Sequence, residues 1–308
     1  MMQSRPACHH HPVREGASAE PANRRIVLAG NPNVGKSVFF GFLTGIYVEV
    51  SNYPGTTVEI ARGRMGDFEI LDTPGIYGVS SFNDEEIAAR DMIIDADVVL
   101  NVVDSMHLER DLFLTRQLID MGKPMVVALN FMDEVKTSGL EIDLDLLEDL
   151  LGVAVIPTVA VKQQGLDRVR NALSKARTGH QDPDLQARLQ QMLNQVGSQA
   201  EALMVMEGDA FVSERHGVSP QDGRESLYLS RRNRVNDTVH HVVRDLSTKT
   251  QIREILGRAA INPMTGIPIM ALMLYALYKV IGVWVAGNIV GMTEGKIMQG
   301  YYEPWVRG

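Results

Sequence analysis

The chain is 308 residues long, 45% hydrophobic, and carries a formal net charge of −8. That length supports roughly two domains, and the acidic balance argues against a non-specific nucleic-acid binder. The single cysteine, Cys8, excludes an intramolecular disulfide and fits a reducing compartment.

Residues 1–23 read as a disordered lead-in, being polar and interrupted by Pro, His and Arg. The first 25 residues lack the apolar core of a signal peptide. Within them, Cys8-His9-His10-His11 offers thiolate and imidazole ligands for Fe(II) or zinc. Four adjacent residues rarely close a coordination shell alone, so a plain polar tail is the alternative. His240-His241, further on, reads as solvated helix surface.

From Arg24 to about Thr178 short apolar strands alternate with helical patterns, which delimits a domain over 24–180. Strands are expected at 25–29, 57–62, 67–72, 97–103, 124–130 and 153–158. Helices are expected near 36–44, 84–94, 110–121, 143–151 and 165–176. Such alternation predicts an α/β fold, a mainly parallel sheet with helices on both faces. Ligand loops then lie at the carboxyl ends of the strands.

The first such loop is Gly30-Asn31-Pro32-Asn33-Val34-Gly35-Lys36-Ser37, a complete GxxxxGKS pattern. It follows the apolar run Arg25–Ala29 and precedes a helix-compatible stretch from Val38 to Leu43. That strand–loop–helix context separates a working phosphate loop from a chance match. The glycines let backbone N–H groups point at phosphate oxygens, and the helix start adds its positive dipole end. Lys36 is expected to bridge the terminal phosphates and Ser37 to hold magnesium.

A first switch is expected in Asn52-Tyr53-Pro54-Gly55-Thr56-Thr57-Val58. A threonine hydroxyl there, Thr57 in preference to Thr56, would complete the magnesium shell when a γ-phosphate is present. A β-turn entering a strand describes the nucleotide-free state equally well. Asp72-Thr73-Pro74-Gly75 supplies a DxxG element, with Asp72 reaching magnesium through water and the Gly75 N–H sensing the terminal phosphate.

Asn130-Phe131-Met132-Asp133 follows the next apolar strand and fits a base-reading NxxD position. A carboxylate at Asp133 accepts hydrogen bonds from guanine N1–H and its exocyclic amine, and adenine offers no equivalent pair. Asn130 is expected to tie this loop to the phosphate loop. Phe131 stands where a lysine usually lies over the base. The last base loop, Thr158-Val159-Ala160-Val161-Lys162, has Val159 in place of the usual serine. Only the Ala160 N–H contact to the guanine oxygen is retained, which implies rapid GDP release.

Together these parts predict a P-loop GTPase of the Ras-like type, with Lys36, Asn33, Thr57 and Gly75 as its catalytic groups. Where Ras-like enzymes place a water-orienting glutamine after DxxG, this chain has Ile76. No arginine occurs in Ser51–Thr57 to act as a finger. The Asn33 amide oxygen, however, can bind a monovalent cation that neutralises developing charge. A turn-forming role beside Pro32 is the alternative for Asn33.

From 181 to 258 the strand signal disappears, and helical spacing over 184–197, 199–215 and 226–257 predicts a small all-α domain. The loop from Gly217 to Gly223 separates two of these helices. Residues 259–308 form a membrane segment. Ile267 to Met292 is apolar except for Lys279 and Asn288, which predicts one transmembrane helix over about 267–291. Lys279 weakens that reading, because a central lysine costs about 2.5–3.5 kcal/mol on insertion. Tyr301, Tyr302 and Trp305 would lie at the far interface.

With these motifs in place, the chain resembles the ferrous iron transporter B family, FeoB. The matching text includes the phosphate loop, Asn52-Tyr53-Pro54-Gly55-Thr56-Thr57-Val58-Glu59 and Leu71-Asp72-Thr73-Pro74-Gly75-Ile76-Tyr77. More diagnostic are Leu108-Glu109-Arg110-Asp111-Leu112, Leu114-Thr115-Arg116-Gln117-Leu118 and Val127 through Glu134. Glu207-Gly208-Asp209, Arg231-Arg232, Asn262-Pro263 and Gly266-Ile267-Pro268-Ile269 resemble the family's helical domain and the start of its first membrane helix.

The resemblance implies GTP/GDP and magnesium as cofactors, with potassium held by Asn33 and backbone carbonyls around Ser51 and Tyr53. It implies Fe(II) uptake across the bacterial inner membrane, with the GTPase domain in the cytoplasm. The expected partners are a FeoB-type permease part, on another chain or missing from this fragment, a small FeoA-like accessory protein, and the lipid bilayer. No nucleic acid is expected. Gly41 stands where the family usually has asparagine. A soluble potassium-dependent GTPase of ribosome or tRNA maturation is the competing reading, although that class normally appends a basic RNA-binding domain.

Overall fold

The computed structural model describes residues 24–45, 49–53, 58–79, 83–245, 257, 259–285 and 306. Cys8–His11, the switch residues Gly55, Thr56 and Thr57, and Tyr301, Tyr302 and Trp305 lie outside the described residues. Two compact units divide the chain near Asp245.

In the first unit a seven-stranded sheet is laid out in the order β2-β3-β4-β1-β5-β6-β8. The strands are β1 (Arg24–Ala29), β2 (Glu49–Asn52), β3 (Glu59–Met65), β4 (Phe68–Asp72), β5 (Val98–Asp104), β6 (Met125–Asn130) and β8 (Ala154–Pro157). From β4 through β1, β5 and β6 to β8 every pairing is parallel. The β2–β3 and β3–β4 pairings are antiparallel. The expected mainly parallel sheet is present, with an antiparallel edge.

Its central strands are apolar on both faces because helices cover both. Strand side chains alternate across a sheet. Thus Ile26 and Leu28 of β1 enter one core with Phe39, Phe40 and Leu43 of α1 (Lys36–Thr44) and Leu166, Val169 and Leu173 of α6 (Leu166–Leu173). Val27 and Ala29 enter the other, with residues of α2 (Asp84–Ile94), α3 (Leu108–Asp120) and α5 (Leu144–Leu151).

That second core continues without a break into α7 (Pro183–Val196), α8 (Gln199–Met206), α9 (Ala210–His216) and α10 (Arg224–Val242), through Leu189, Leu203, Val212 and Val235. Buried ion pairs accompany it. Arg231 of α10, 2% exposed, donates to Asp120 Oδ2 at 3.1 Å and Glu207 Oε1 at 2.7 Å. Arg234 adds two bonds to Asp120. Arg90 of α2 donates to both oxygens of Asp209 at 2.9 and 3.1 Å.

Three local differences from the expected helices have identifiable causes. The stretch 199–215 is two helices, because Gly208 adopts φ +79° and the Asp209 carboxylate then caps α9 by accepting from Val212 N. In the stretch 226–257 the first helix ends at Val242, where Val243–Asp245 (β9) becomes extended and pairs with β7 (Leu140–Ile142); residues 246–256 lie outside the described residues. Finally, the NxxD segment is not all loop. Phe131 takes a left-handed φ of +65°, and α4 (Met132–Ser138) begins immediately after it.

In the second unit α11 (Pro263–Leu277) is capped by Asn262, whose Oδ1 accepts from Met264 N. It continues as π-helix over Tyr278–Val285. The span Pro263–Val283 is long and apolar enough to cross a membrane, and its side chains are not buried within the protein. It starts four residues before the expected 267, because Asn262-Pro263 forms an N-cap and first-turn proline pair. Residues 286–291 of the expected helix lie outside the described residues.

Candidate nucleotide site

The predicted loops converge at the carboxyl ends of β1, β4, β6 and β8. The phosphate loop leaves β1 at Gly30 and enters α1 at Lys36. A side chain at Gly30 would collide with the Val102 carbonyl oxygen, so glycine is required by close approach. Asn31 is buried, Asn33 is exposed at φ +64°, and Gly35 holds φ +97° as the N-cap of α1. Val34 is buried and Val38 is 39% exposed.

Lys36 lies folded over the loop, donating to Gly30 O at 3.1 Å and Asn31 O at 3.2 Å. Burial pushes its ammonium below the usual lysine range, while Asp72 and Asp111 pull it back. Ser37 Oγ donates to Asp72 Oδ2 at 3.2 Å, bringing together two of the three expected magnesium ligands. Burial raises the Asp72 carboxyl, opposed by Lys36 and Ser37. Asp72 Oδ1 is buried and has no hydrogen-bond partner among the described residues. An orphaned carboxylate oxygen beside a serine hydroxyl is a donor set that suits a hard divalent cation.

The DxxG turn is fastened to the phosphate loop. Thr73 donates through both N and Oγ1 to Leu28 O, and Ile76 N donates to Gly30 O at 3.2 Å. A side chain at Gly75 would fall 2.7 Å from Pro32 Cα, which requires glycine there; Pro74 precedes it. Ile76 is 2% exposed and belongs to the core. It therefore has no contact with solvent through which to position a water. A cleft of about 990 Å³ opens beside Gly75, but Glu59, Asp84 and Glu85 line it and would repel phosphates.

The base loops are joined to the phosphate loop by one side chain. Asn130 Nδ2 donates to Val34 O at 3.0 Å, and Asn130 Oδ1 accepts from Ala160 N at 3.0 Å. Ser105 Oγ donates to the Asn130 carbonyl. Asp133 sits in the first turn of α4 behind Phe131 and Met132, all partly exposed. Val159 and Ala160 are buried, whereas Val161 is 74% exposed. On the opposite edge, Ser51 pairs with Ile60, and Tyr53 N donates to Val58 O at 2.8 Å.

Two contacts at the site lie outside the GTPase motifs, although Asp111 and Gln117 belong to the stretches that resemble FeoB. Asp111 of α3, 2% exposed, accepts from Asn31 Nδ2 at 2.6 Å and from Asp104 N at 2.9 Å. Its own helix supplies Arg110 at 2.7 Å. Gln117, two turns further on, grips Val79 at both N and O and passes a third bond to Glu207 at 2.9 Å. The segment after DxxG is thereby tied to α3 and to the helical part of the unit.

A family model described as "Ferrous iron transport protein B" matches residues 24–173. Among solved structures, a GDP-bound mutant of the S. thermophilus FeoB G-domain aligns with TM-score 0.64 and 32% identity. The match covers 72% of this chain and the whole of that one. The chain belongs to the FeoB family. A FeoB relative, the Fe(2+) transporter FeoB of Legionella pneumophila (strain Paris), is 45% identical over 159 residues, 48% of this chain. A fusion of Fe(2+) transport protein A with FeoB from Porphyromonas gingivalis (strain ATCC BAA-308 / W83) is 42% identical over 162 residues, 50% of this chain. The matches span about a fifth of these FeoB relatives' length, 21% and 19%. The fold is that of the FeoB G domain.

Proposed function

We propose that this chain binds GTP and hydrolyses it to GDP and phosphate, as the cytoplasmic GTPase part of a ferrous iron uptake system. The observation that carries this reading is the Asn130 side chain, which links the NxxD loop to both the phosphate loop and the Ala160 turn. That link sets the base-reading and phosphate-holding groups in one cradle. The GDP-bound FeoB G-domain structure and the FeoB family model support it.

In this reading the N–H groups of Asn33 to Val38 face the phosphates, and Lys36 leaves its loop carbonyls to meet the terminal ones. Ser37, Asp72 and Thr57 would hold magnesium, which would supply charge neutralisation to the phosphates. Gly75 N–H senses the γ-phosphate, and Asp133 orients guanine, with Phe131, Met132, Val159 and Val161 around the base and the Ala160 N–H on its carbonyl. Gly30, Asn31, Pro32, Val34, Gly35, Gly55, Thr56, Thr73 and Pro74 shape the cradle.

Buried Ile76 cannot orient water as the glutamine of Ras-like enzymes does. Charge compensation, for which Ser51–Thr57 offers no arginine, is assigned to a potassium ion that Asn33 and the carbonyls of Ser51 and Tyr53 would hold. Phosphate release from GTP by the purified chain is expected to be several-fold faster in potassium chloride than in sodium chloride. Equal rates would remove the cation from the mechanism.

The apolar span Pro263–Val283 supports tethering to the bacterial inner membrane, with the GTPase unit on the cytoplasmic side. GTP turnover then gates or drives Fe(II) movement through a FeoB-type permease part. The fusion relative supports a FeoA-like accessory partner.

A further inference from the structure

The carboxylate assigned to guanine already has a cation on it. Lys162 Nζ lies 2.7 Å from Asp133 Oδ2, across 29 residues of sequence. This contact holds the Asp133 carboxyl below the usual carboxylate range.

The turn that delivers Lys162 is built independently of the pair. Lys162 N donates to Val159 O at 3.0 Å, and Gln163 N to Ala160 O at 3.0 Å. Gln163 then takes a left-handed φ of +56°, an uncommon conformation for a residue with a side chain. Val159 and Gln164 close the base of the turn by exchanging both backbone bonds, at 3.1 and 3.2 Å. The backbone that carries Lys162 is thus held by hydrogen bonds that do not involve the pair.

Guanine brings only neutral donors to this carboxylate. A cation on Oδ2 must leave to admit them, or else it weakens the oxygen as an acceptor. Both effects act in the same direction. Resting on the guanine-nucleotide reading above, we propose that Lys162 is an internal competitor for the base-reading carboxylate of Asp133. Binding then proceeds by exchange of partners, and re-formation of the Lys162–Asp133 pair helps to expel GDP. Lys162 tunes nucleotide retention without touching phosphate.

The test is Lys162→Met, which keeps the aliphatic stem and removes the charge. Because exposed ion pairs are weak, GDP is expected to bind about two- to five-fold more tightly. The gain should appear mainly in a slower off-rate. In an Asp133→Asn background the same substitution should leave the Kd for xanthosine diphosphate unchanged, since no carboxylate remains to compete for. Unchanged or weaker GDP binding by Lys162→Met would overturn the proposal, as would an equal gain in the Asp133→Asn background. Wild-type chain that binds no GDP at all would overturn the nucleotide reading itself, and this proposal with it.

Discussion

Asp133→Asn is expected to lower affinity for GDP by at least about a hundredfold and to raise that for xanthosine diphosphate. The carboxylate offers two acceptors to the two adjacent guanine donors. Asparagine keeps one acceptor and turns an amide N–H toward the guanine amine, donor against donor. Xanthine carries a carbonyl at that ring position, so the same amide becomes a partner.

A smaller effect opposes this one. The substitution also removes the Lys162–Asp133 pair, which by itself would free the site by no more than about five-fold. The lost base contact therefore wins. The helix should be little affected, because Asp133 is partly exposed in the first turn of α4 and does not enter the core. Calorimetric titration with both diphosphates reads the result, and unchanged GDP affinity would place guanine elsewhere.

Arg231→Met is expected to destabilise the first unit by about 3–5 kcal/mol, the usual result of removing one partner from a buried ionic cluster. The guanidinium joins Asp120 at the end of α3 to Glu207 at the end of α8. Without it Glu207 keeps the Gln117 amide and Asp120 keeps Arg234, so the lower end of that range applies. For a unit of this size the melting temperature should fall by about 6–12 °C. An unchanged melting curve would mean that the helical part contributes little to the stability of the sheet.

The parts of the site legible in the sequence were those whose chemistry is local. A phosphate loop needs glycines, a lysine and a hydroxyl within eight residues, because consecutive N–H groups form the cradle. The sheet was legible because parallel strands buried on both faces read as short apolar runs, as Val98–Asp104 and Met125–Asn130 do. Edge strand β2 (Glu49–Asn52) was not, since it is mostly exposed and carries no such run.

Long-range pairings had no such signature. Asp111 meets Asn31 across 80 residues, and Lys162 meets Asp133 only because two separate loops end on the same side of the sheet. Neither residue type announces its partner. The unbroken core between the sheet and α7–α10 was hidden for a similar reason. A change in composition near residue 180 marks a change in secondary structure, not a gap in packing.

Every role assigned to the site requires a guanine nucleotide held in the cradle formed by Lys36, Asp72 and Asp133. Titration of the purified chain with GDP and ADP in magnesium and potassium tests this most directly. The expected result is saturable GDP binding, with ADP weaker by at least about a hundredfold. Binding of ADP as firm as that of GDP, or of neither, would contradict it.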